Sequence, residues 1–219
     1  LSPSPGMSAM TQPSPDCALC PRLVTFRADN RRHLPDSLNA PVASFGAVDS
    51  ALLVVGLAPG LRGANRTGRP FTGDAAGDLL YPTLLAHGFA EGVYDARPDD
   101  GLVMCNCRIT NAVRCVPPDN KPIKAEIKAC RDFLRQEINA MPRLRILLAL
   151  GHIAHDAVLA TRDKKRRDHP FSHGGEHTLG EGLRLFNSYH CSRYNTNTGR
   201  LTPAMFDAVF AAICRRLSD

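Results

Sequence analysis

The chain has 219 residues, 43% of them hydrophobic and 22% charged, a globular balance that excludes a collagen-like, wholly disordered or coiled-coil protein. Twenty-seven Lys and Arg against 21 Asp and Glu give a net charge of +6, which favours polyanionic partners without requiring one. The longest apolar runs, 51–55 and 146–150, fall far short of the roughly 20 residues that span a bilayer, and no secretory leader is visible, so the expectation is a cytoplasmic protein that does not enter a membrane.

Residues 1–16 are rich in proline and serine without apolar periodicity and read as a disordered tail. A natural start at Met7 would make 1–6 an expression remnant. From residue 17 there is no repeat and no low-complexity linker, and one domain over 17–219 is the economical reading. Cys17 and Cys20 form a C-x-x-C ahead of the first helix. Residues 52–56 are a short β-rich run, followed by a glycine- and proline-rich loop over 57–73. A helix over 74–87 aligns Leu79, Leu80, Leu84 and Leu85 on one face. Residues 102–105 and 109–113 are extended, and a helix over 124–138 offers Ile127, Phe133, Leu134 and Ile138 for burial. The apolar run 145–151 is a strand whose Gly151 opens a helix through Leu159. A last strand covers 183–189, and a closing helix over 203–217 carries Pro203 in its first turn. Strands alternating with helices predict an α/β fold: a three-layer α/β/α sandwich around a central, mainly parallel four-stranded sheet. Ligands of such sheets bind beyond the carboxyl ends of the strands, here after Gly56, around Asn111 and after Tyr189.

The first of these places runs from Gly56-Leu57-Ala58-Pro59-Gly60 to Gly68-Arg69-Pro70-Phe71-Thr72-Gly73-Asp74. Its glycines let the backbone approach a ligand closely, and Arg62, Arg66 and Arg69 suit phosphates. Phe71 suits burial or stacking, and Asp74 suits a first helical turn, where the dipole stabilises a carboxylate. Spacing alone equally fits a helix-capping Asp and a core Phe. The stretch is neither a Walker loop nor G-x-G-x-x-G. Asn111 can offer a donor and an acceptor to a base edge or to water, or serve as an ordinary turn residue. His190 leaves a strand into a polar loop with Ser192, Tyr194, Asn195 and Arg200, a place for a donor to an anion or carbonyl and equally for a surface histidine. No H-E-x-x-H is present, which argues against a zinc hydrolase. Eight cysteines without a secretory leader argue against a disulfide framework. Cys105, Cys107, Cys191 and Cys214 sit in apolar segments as small buried thiols do. Cys17, Cys20, Cys115 and Cys130 leave a closed zinc or iron–sulfur site and a set of buried thiols both open. The basic run 162–167 reads as a solvated face or as a grip on a phosphate backbone.

Together these segments resemble the uracil-DNA glycosylase superfamily, and most of all its family 5. The resemblance covers essentially the whole chain from Cys17 and rests on three stretches: the long motif from Gly56 to Asp74, the His190 loop with Asn195-Thr196 and 198–202, and Asn111-Ala112-Val113-Arg114-Cys115 with Pro117-Pro118 and Asn120-Lys121-Pro122. The cysteine order is similar to the [4Fe–4S] pattern shared by families 4 and 5, which implies a structural cluster on Cys17, Cys20, Cys115 and Cys130. The resemblance further implies a monomeric DNA-repair glycosylase working on nucleoid DNA, removing uracil and a wider set of deaminated bases including hypoxanthine. The damaged base would flip out of the duplex into a pocket of Gly56, Ala58, Pro59, Gly60, Phe71, Asn111 and His190. There Phe71 would stack on it, Asp74 and Asn111 would position water, and His190 would stabilise the departing base through its carbonyl. Arg66, Arg69, Ser192, Tyr194, Asn195 and Arg200 would meet DNA, Tyr194 and Asn195 as a wedge. Two departures stand out: Leu57 takes a position that is polar in most of the superfamily, as family 5 does, and Cys191 stands where His-Pro-Ser is the commoner form. The competing readings are a non-catalytic iron–sulfur or zinc DNA-binding module and a small nucleotide hydrolase.

Overall fold

Fifteen residues in three short runs have almost no contact with solvent: Leu52–Gly56 (β1), Cys107–Asn111 (β4) and Ile146–Leu150 (β5). A strand buried on both faces cannot alternate apolar with polar, and two of the three are accordingly unbroken apolar runs, as a covered parallel sheet demands. The structure is a computed structural model that describes residues 12–180 and 182–219. The remaining elements are α1 (Pro21–His33), α2 (Ala64–Thr67), α3 (Gly77–Ala86), β2 (Ala90–Glu91), β3 (Val103–Met104), α4 (Lys124–Ala140), α5 (His152–Thr161), β6 (Glu176–Gly180), β7 (Leu183–Ser188), α6 (Arg193–Asn197) and α7 (Pro203–Ser218).

The main sheet has the order β4-β1-β5-β7-β6. Its first four strands are parallel and β6 returns antiparallel beside β7. Side chains alternate between two helical layers. Leu52, Val54, Ile109, Leu148 and Phe186 face α3 and α7, whereas Leu53, Val55, Leu147, Ala149 and Leu185 face α4 and α5. Helix α7 buries Phe206, Val209, Phe210 and Ile213, spaced three, one and three apart on one face. Its entry is fixed by Pro203 and by Thr202 Oγ1, which accepts from the Met205 amide at 3.2 Å. At the β4 edge, Glu137 of α4 accepts from Arg108 Nε at 2.6 Å and from the Arg114 guanidinium. Burial alone would push the Glu137 carboxyl up, but Arg114 and Arg108 hold it below the usual range.

The three-layer sandwich is as expected, and the sheet carries a fifth strand. β6 reads Glu-His-Thr-Leu-Gly, with Leu179 its one buried side chain, so an edge strand of this kind has no apolar signature to find. The helix expected over 74–87 begins at Gly77, and Asp74 lies in the loop before it. Of the expected tail, 1–11 lie outside the described residues. Residues 15 and 16 are tied down, because Arg31 of α1 donates to Pro15 O at 3.1 Å and to Asp16 Oδ1 at 2.7 Å. Among the described residues no helix is long and apolar enough to cross a membrane.

Candidate active site and cysteine cavity

Parallel pairing sets the ends of β1 and β4 side by side, with Gly56 in register with Asn111. Glycine is required at this contact: a Cβ on Gly56 would lie 2.5 Å from Phe71 Cζ and closer still to Asn111 Oδ1. Phe71 therefore lies across the backbone where β1 ends, with Asn111 beside it. It is buried, and its φ of +55° is a conformation that a bulky residue holds only when its surroundings enforce it. Part of that enforcement is visible. The Tyr81 hydroxyl donates to the carbonyl of the preceding Pro70, and Tyr94 donates to Phe71 O at 3.4 Å. A Cβ on Gly77 would overlap that same Phe71 carbonyl.

His190 follows the end of β7, its ring centroid 6.0 Å from that of Phe71 at an interplanar angle of 31°. Burial pushes its pKa down to about 4, so the ring is a neutral imidazole at neutral pH. The backbone on either side is pinned. Asn195 Nδ2 donates to His190 O at 2.8 Å, and the Tyr189 amide donates to His173 Nδ1 at 3.2 Å. Asp74 closes the site from the loop side. Its Oδ1 accepts from the Ala76 amide at 3.1 Å, and a Cβ on Gly63 would overlap its Oδ2. Burial raises the pKa of Asp74 more than the amides of Ala76 and Gly77 lower it. Phe71 and Asp74 of one loop, Asn111 and His190 thus come from three places in the sequence to one end of the sheet, where the backbone of Gly56 lies against Phe71 and Asn111 and that of Gly60 and Gly63 against Asp74. Cys191 is fully buried in the core that includes Leu201 and Phe206, with its thiol pushed up to about 12, so it packs inward from the site.

The expected DNA contacts divide. Arg66 is exposed, as are Arg200, whose guanidinium lies 4.6 Å over the Tyr189 ring, and Tyr194, at 72% of its surface. Ser192 caps α6 by accepting from the Asn195 amide, and Asn195 holds His190; both are partly buried. Arg69 does not reach the surface. It is 5% exposed, pairs with Asp100 through both terminal nitrogens at 2.8 and 2.6 Å, and lies over the rings of Phe45, Tyr81 and Tyr94. Its place in an arginine- and glycine-rich loop resembles a phosphate contact, and only the distant Asp100 shows otherwise. His173, to which the sequence assigns no site role, stacks its ring on Tyr189 at 5.1 Å; it carries no motif and is defined by what folds against it.

Cys17, Cys20, Cys115 and Cys130 line one cavity with Leu23, Arg27, Val113 and Phe133. The segment leading into α1 brings the first pair, and the loop after β4 and helix α4 bring the second. Burial pushes Cys20 and Cys115 up to about 11, with the neighbouring Cys130 adding to both. Four thiolates can share such a space only with cationic metal between them. One thiolate at each corner of a larger metal–sulfur cluster fits this donor set. Backbone N–H···S contact is present too: the Arg114 amide donates to Cys130 Sγ at 3.4 Å. The cavity is joined to the site, since Ala58 packs on the Leu23, Val113 and Cys130 cluster and the Val113 amide donates to Leu57 O at 2.9 Å.

Residues 43–214 match the family model described as the uracil DNA glycosylase superfamily. The chain is 44% identical over 203 residues to a type-5 uracil-DNA glycosylase of Thermus thermophilus, covering 90% of this chain and 92% of that one. It is 42% identical to a type-5 uracil-DNA glycosylase of Mycobacterium leprae, over 89% and 88% of the two chains. A third, from Pyrobaculum aerophilum, is 41% identical over 85% and 83%.

Proposed function

Because this chain belongs to the uracil DNA glycosylase superfamily, we infer that it is a DNA-repair hydrolase that removes uracil by cleaving the N-glycosidic bond and leaves an abasic site. The observation that carries this reading is the convergence of Phe71, Asp74, Asn111 and the neutral His190 beyond the carboxyl ends of β1, β4 and β7. A base inside a duplex is out of reach of these side chains, so it has to be flipped out, at a cost lowest for a mispaired lesion. We propose that Phe71 then stacks on its face and that Asn111 reads its edge. As the C1′–N bond breaks, its electron pair leaves with the base and positive charge grows on the sugar. His190, neutral and a donor, hydrogen-bonds the carbonyl on which that negative charge collects. The Asp74 carboxylate faces the developing positive charge and with Asn111 orients the water that adds to C1′. Tyr194, exposed on α6, fills the space the base vacates, and Arg66 and Arg200 meet phosphates. The position taken by Leu57 puts no polar side chain at the start of the motif, and a pocket with few fixed polar groups rejects few bases. Hypoxanthine is accordingly a second substrate.

The four cysteines hold a [4Fe–4S] cluster, whose chemistry here is the bracing of α1 against the loop and helix that carry Cys115 and Cys130. We propose that it acts as a monomer on cytoplasmic, nucleoid DNA. Duplex oligonucleotides carrying one uracil or one hypoxanthine test the proposal, with alkali to cut any abasic site. Strand cleavage appearing only after alkali, and lost in Asp74→Ala without loss of DNA binding, is the expected result. Cluster-loaded protein that binds duplex and forms no abasic product would instead be a binding module.

A further inference from the structure

Helix α1 carries four arginines, and three of them have a carboxylate. Arg22 pairs with Glu126 at 2.7 Å, Arg31 with Asp16 at 2.7 Å, and Arg32 with Asp29. Arg27 is the exception, although it is the buried one, 6% exposed. Its Nη2 donates to Cys17 O at 2.9 Å, and its Nη1 points at Cys115 Sγ from 3.7 Å. Among the described residues no carboxylate lies within ion-pair distance of it; Asp16, on which its charge acts weakly, is exposed and already held by Arg31. A guanidinium cannot shed its charge, and burying one without a counter-charge is costly enough that proteins seldom do it. The missing anion is therefore to be sought where Arg27 points, in the cavity lined by Cys17, Cys20, Cys115 and Cys130.

We propose that Arg27 is the resident counter-ion of the cysteine-bound cluster, so that the two charges are buried together. This rests on the iron–sulfur reading of the cavity. A cubane held by four thiolates is doubly negative, and one-electron reduction makes it triply negative. A fixed cation against Cys115 favours the more negative state, raising the reduction potential and opposing loss of iron. The amide of Arg114 on Cys130 acts in the same sense, and the Arg114 guanidinium, though paired with Glu137, adds a weaker attraction.

The test compares the holoenzyme with Arg27→Gln and Arg27→Lys by iron and sulfide content, film voltammetry and the half-life of the visible absorbance under a chelator. Arg27→Gln is expected to load iron, to shift the couple negative by at least tenfold in its reduced-to-oxidised ratio, about 59 mV for one electron, and to lose iron faster, while Arg27→Lys stays near wild type. Should the glutamine variant fail to load while the lysine variant loads fully, the charge is needed for assembly and the proposal stands. Fully loaded Arg27→Gln at an unchanged potential and half-life overturns it, as does equal failure of both variants, which would make Arg27 a fold residue that caps Cys17. A wild-type protein with zinc or no metal overturns the cluster reading itself, an outcome distinct from four irons with an unmoved potential.

Discussion

At the scale of single residues the site is a balance between burial and charge. Phe71 is held at φ +55° under the Tyr81 and Tyr94 contacts, so its ring is in place before a base arrives. Stacking on an aromatic ring is worth about 1–3 kcal/mol per base, so Phe71→Ala is expected to lower kcat/KM roughly 5- to 150-fold in single-turnover assays on duplex uracil. A smaller effect would mean that the ring is mere core. Asp74 has its pKa raised by burial. For a carboxyl raised in the folded state, stabilisation is complete below the unfolded value of 3.8 and is lost as pH rises through the folded one. Ionised Asp74 is thus a strained group at neutral pH. Asp74→Asn, which keeps the acceptor for the Ala76 amide, is expected to raise Tm at pH 7 while base release falls by orders of magnitude, and the gain in Tm should vanish in acid. His190 shifts the other way, down to about 4. Its neutral form persists as pH falls through 6.5, so kcat/KM should be flat there and decline only on the acid side, where Asp74 takes up its proton. An inflection near 6.5 that disappears in His190→Asn would contradict a neutral donor.

At the scale of elements, the arginines between β1 and α3 point opposite ways, Arg69 into the protein and Arg66 into solvent. In the loop between β1 and α3, Arg69 turns inward to Asp100, whose carboxyl it holds well below the usual range, and so ties the loop to the segment after β2. Removing one partner of a buried pair costs roughly 3–5 kcal/mol. Arg69→Ala should therefore lower the denaturation midpoint strongly, and the salt dependence of DNA binding by whatever still folds should be unaltered. Arg66 and Arg200 are exposed. Replacing either with Ala should leave Tm in place and flatten the plot of log K against log salt by about 0.9 for each phosphate that the arginine had neutralised. The loop after β7 is ordered by its neighbours: His173 and Asn195 fix the backbone before and at His190, and Arg200 covers Tyr189. Cys191, standing where a proline would stiffen the turn, is instead anchored by full burial.

On the scale of the whole molecule the proposed base site and the cysteine cavity form one continuous structure. The chain leaves β1 through Gly56 and Leu57, whose carbonyls accept from the Ala112 and Val113 amides at 2.9 Å, and Ala58 then packs on the wall of the cavity. The Leu61 amide donates to Asn120 Oδ1 at 3.3 Å, adding a second tie to the segment between Cys115 and Cys130. Stripping the proposed cluster by chelation should therefore do more than loosen α1. Hydrogen exchange is expected to quicken in 21–33 and 113–130 first and in 56–61 with them, KM should rise more than kcat falls, and Tm should drop. Exchange confined to α1, with unchanged kinetics, would show that the two regions are independent.

The alternating strands and helices were legible in the sequence because a parallel sheet covered on both faces requires unbroken apolar runs, and 52–56 and 146–150 can be little else. So were Phe71, Asp74, Asn111 and His190 as candidates, since each sits in a motif at the end of a strand, and so was the grouping of Cys17, Cys20, Cys115 and Cys130, which the structure brings to one cavity. The edge strand β6 escaped notice because one buried side chain leaves no period to detect. What only the tertiary structure decided is which way each charge points. Arg69 and Arg66 stand three residues apart between β1 and α3, and Asp100, thirty-one positions beyond Arg69, draws it inward while Arg66 stays in water. Arg27 and Arg31 share a helix, and only the latter meets a carboxylate. Composition and spacing fix where charges occur along the chain; their desolvation and their partners depend on what is packed against them, and that is set by contacts between segments distant in the sequence.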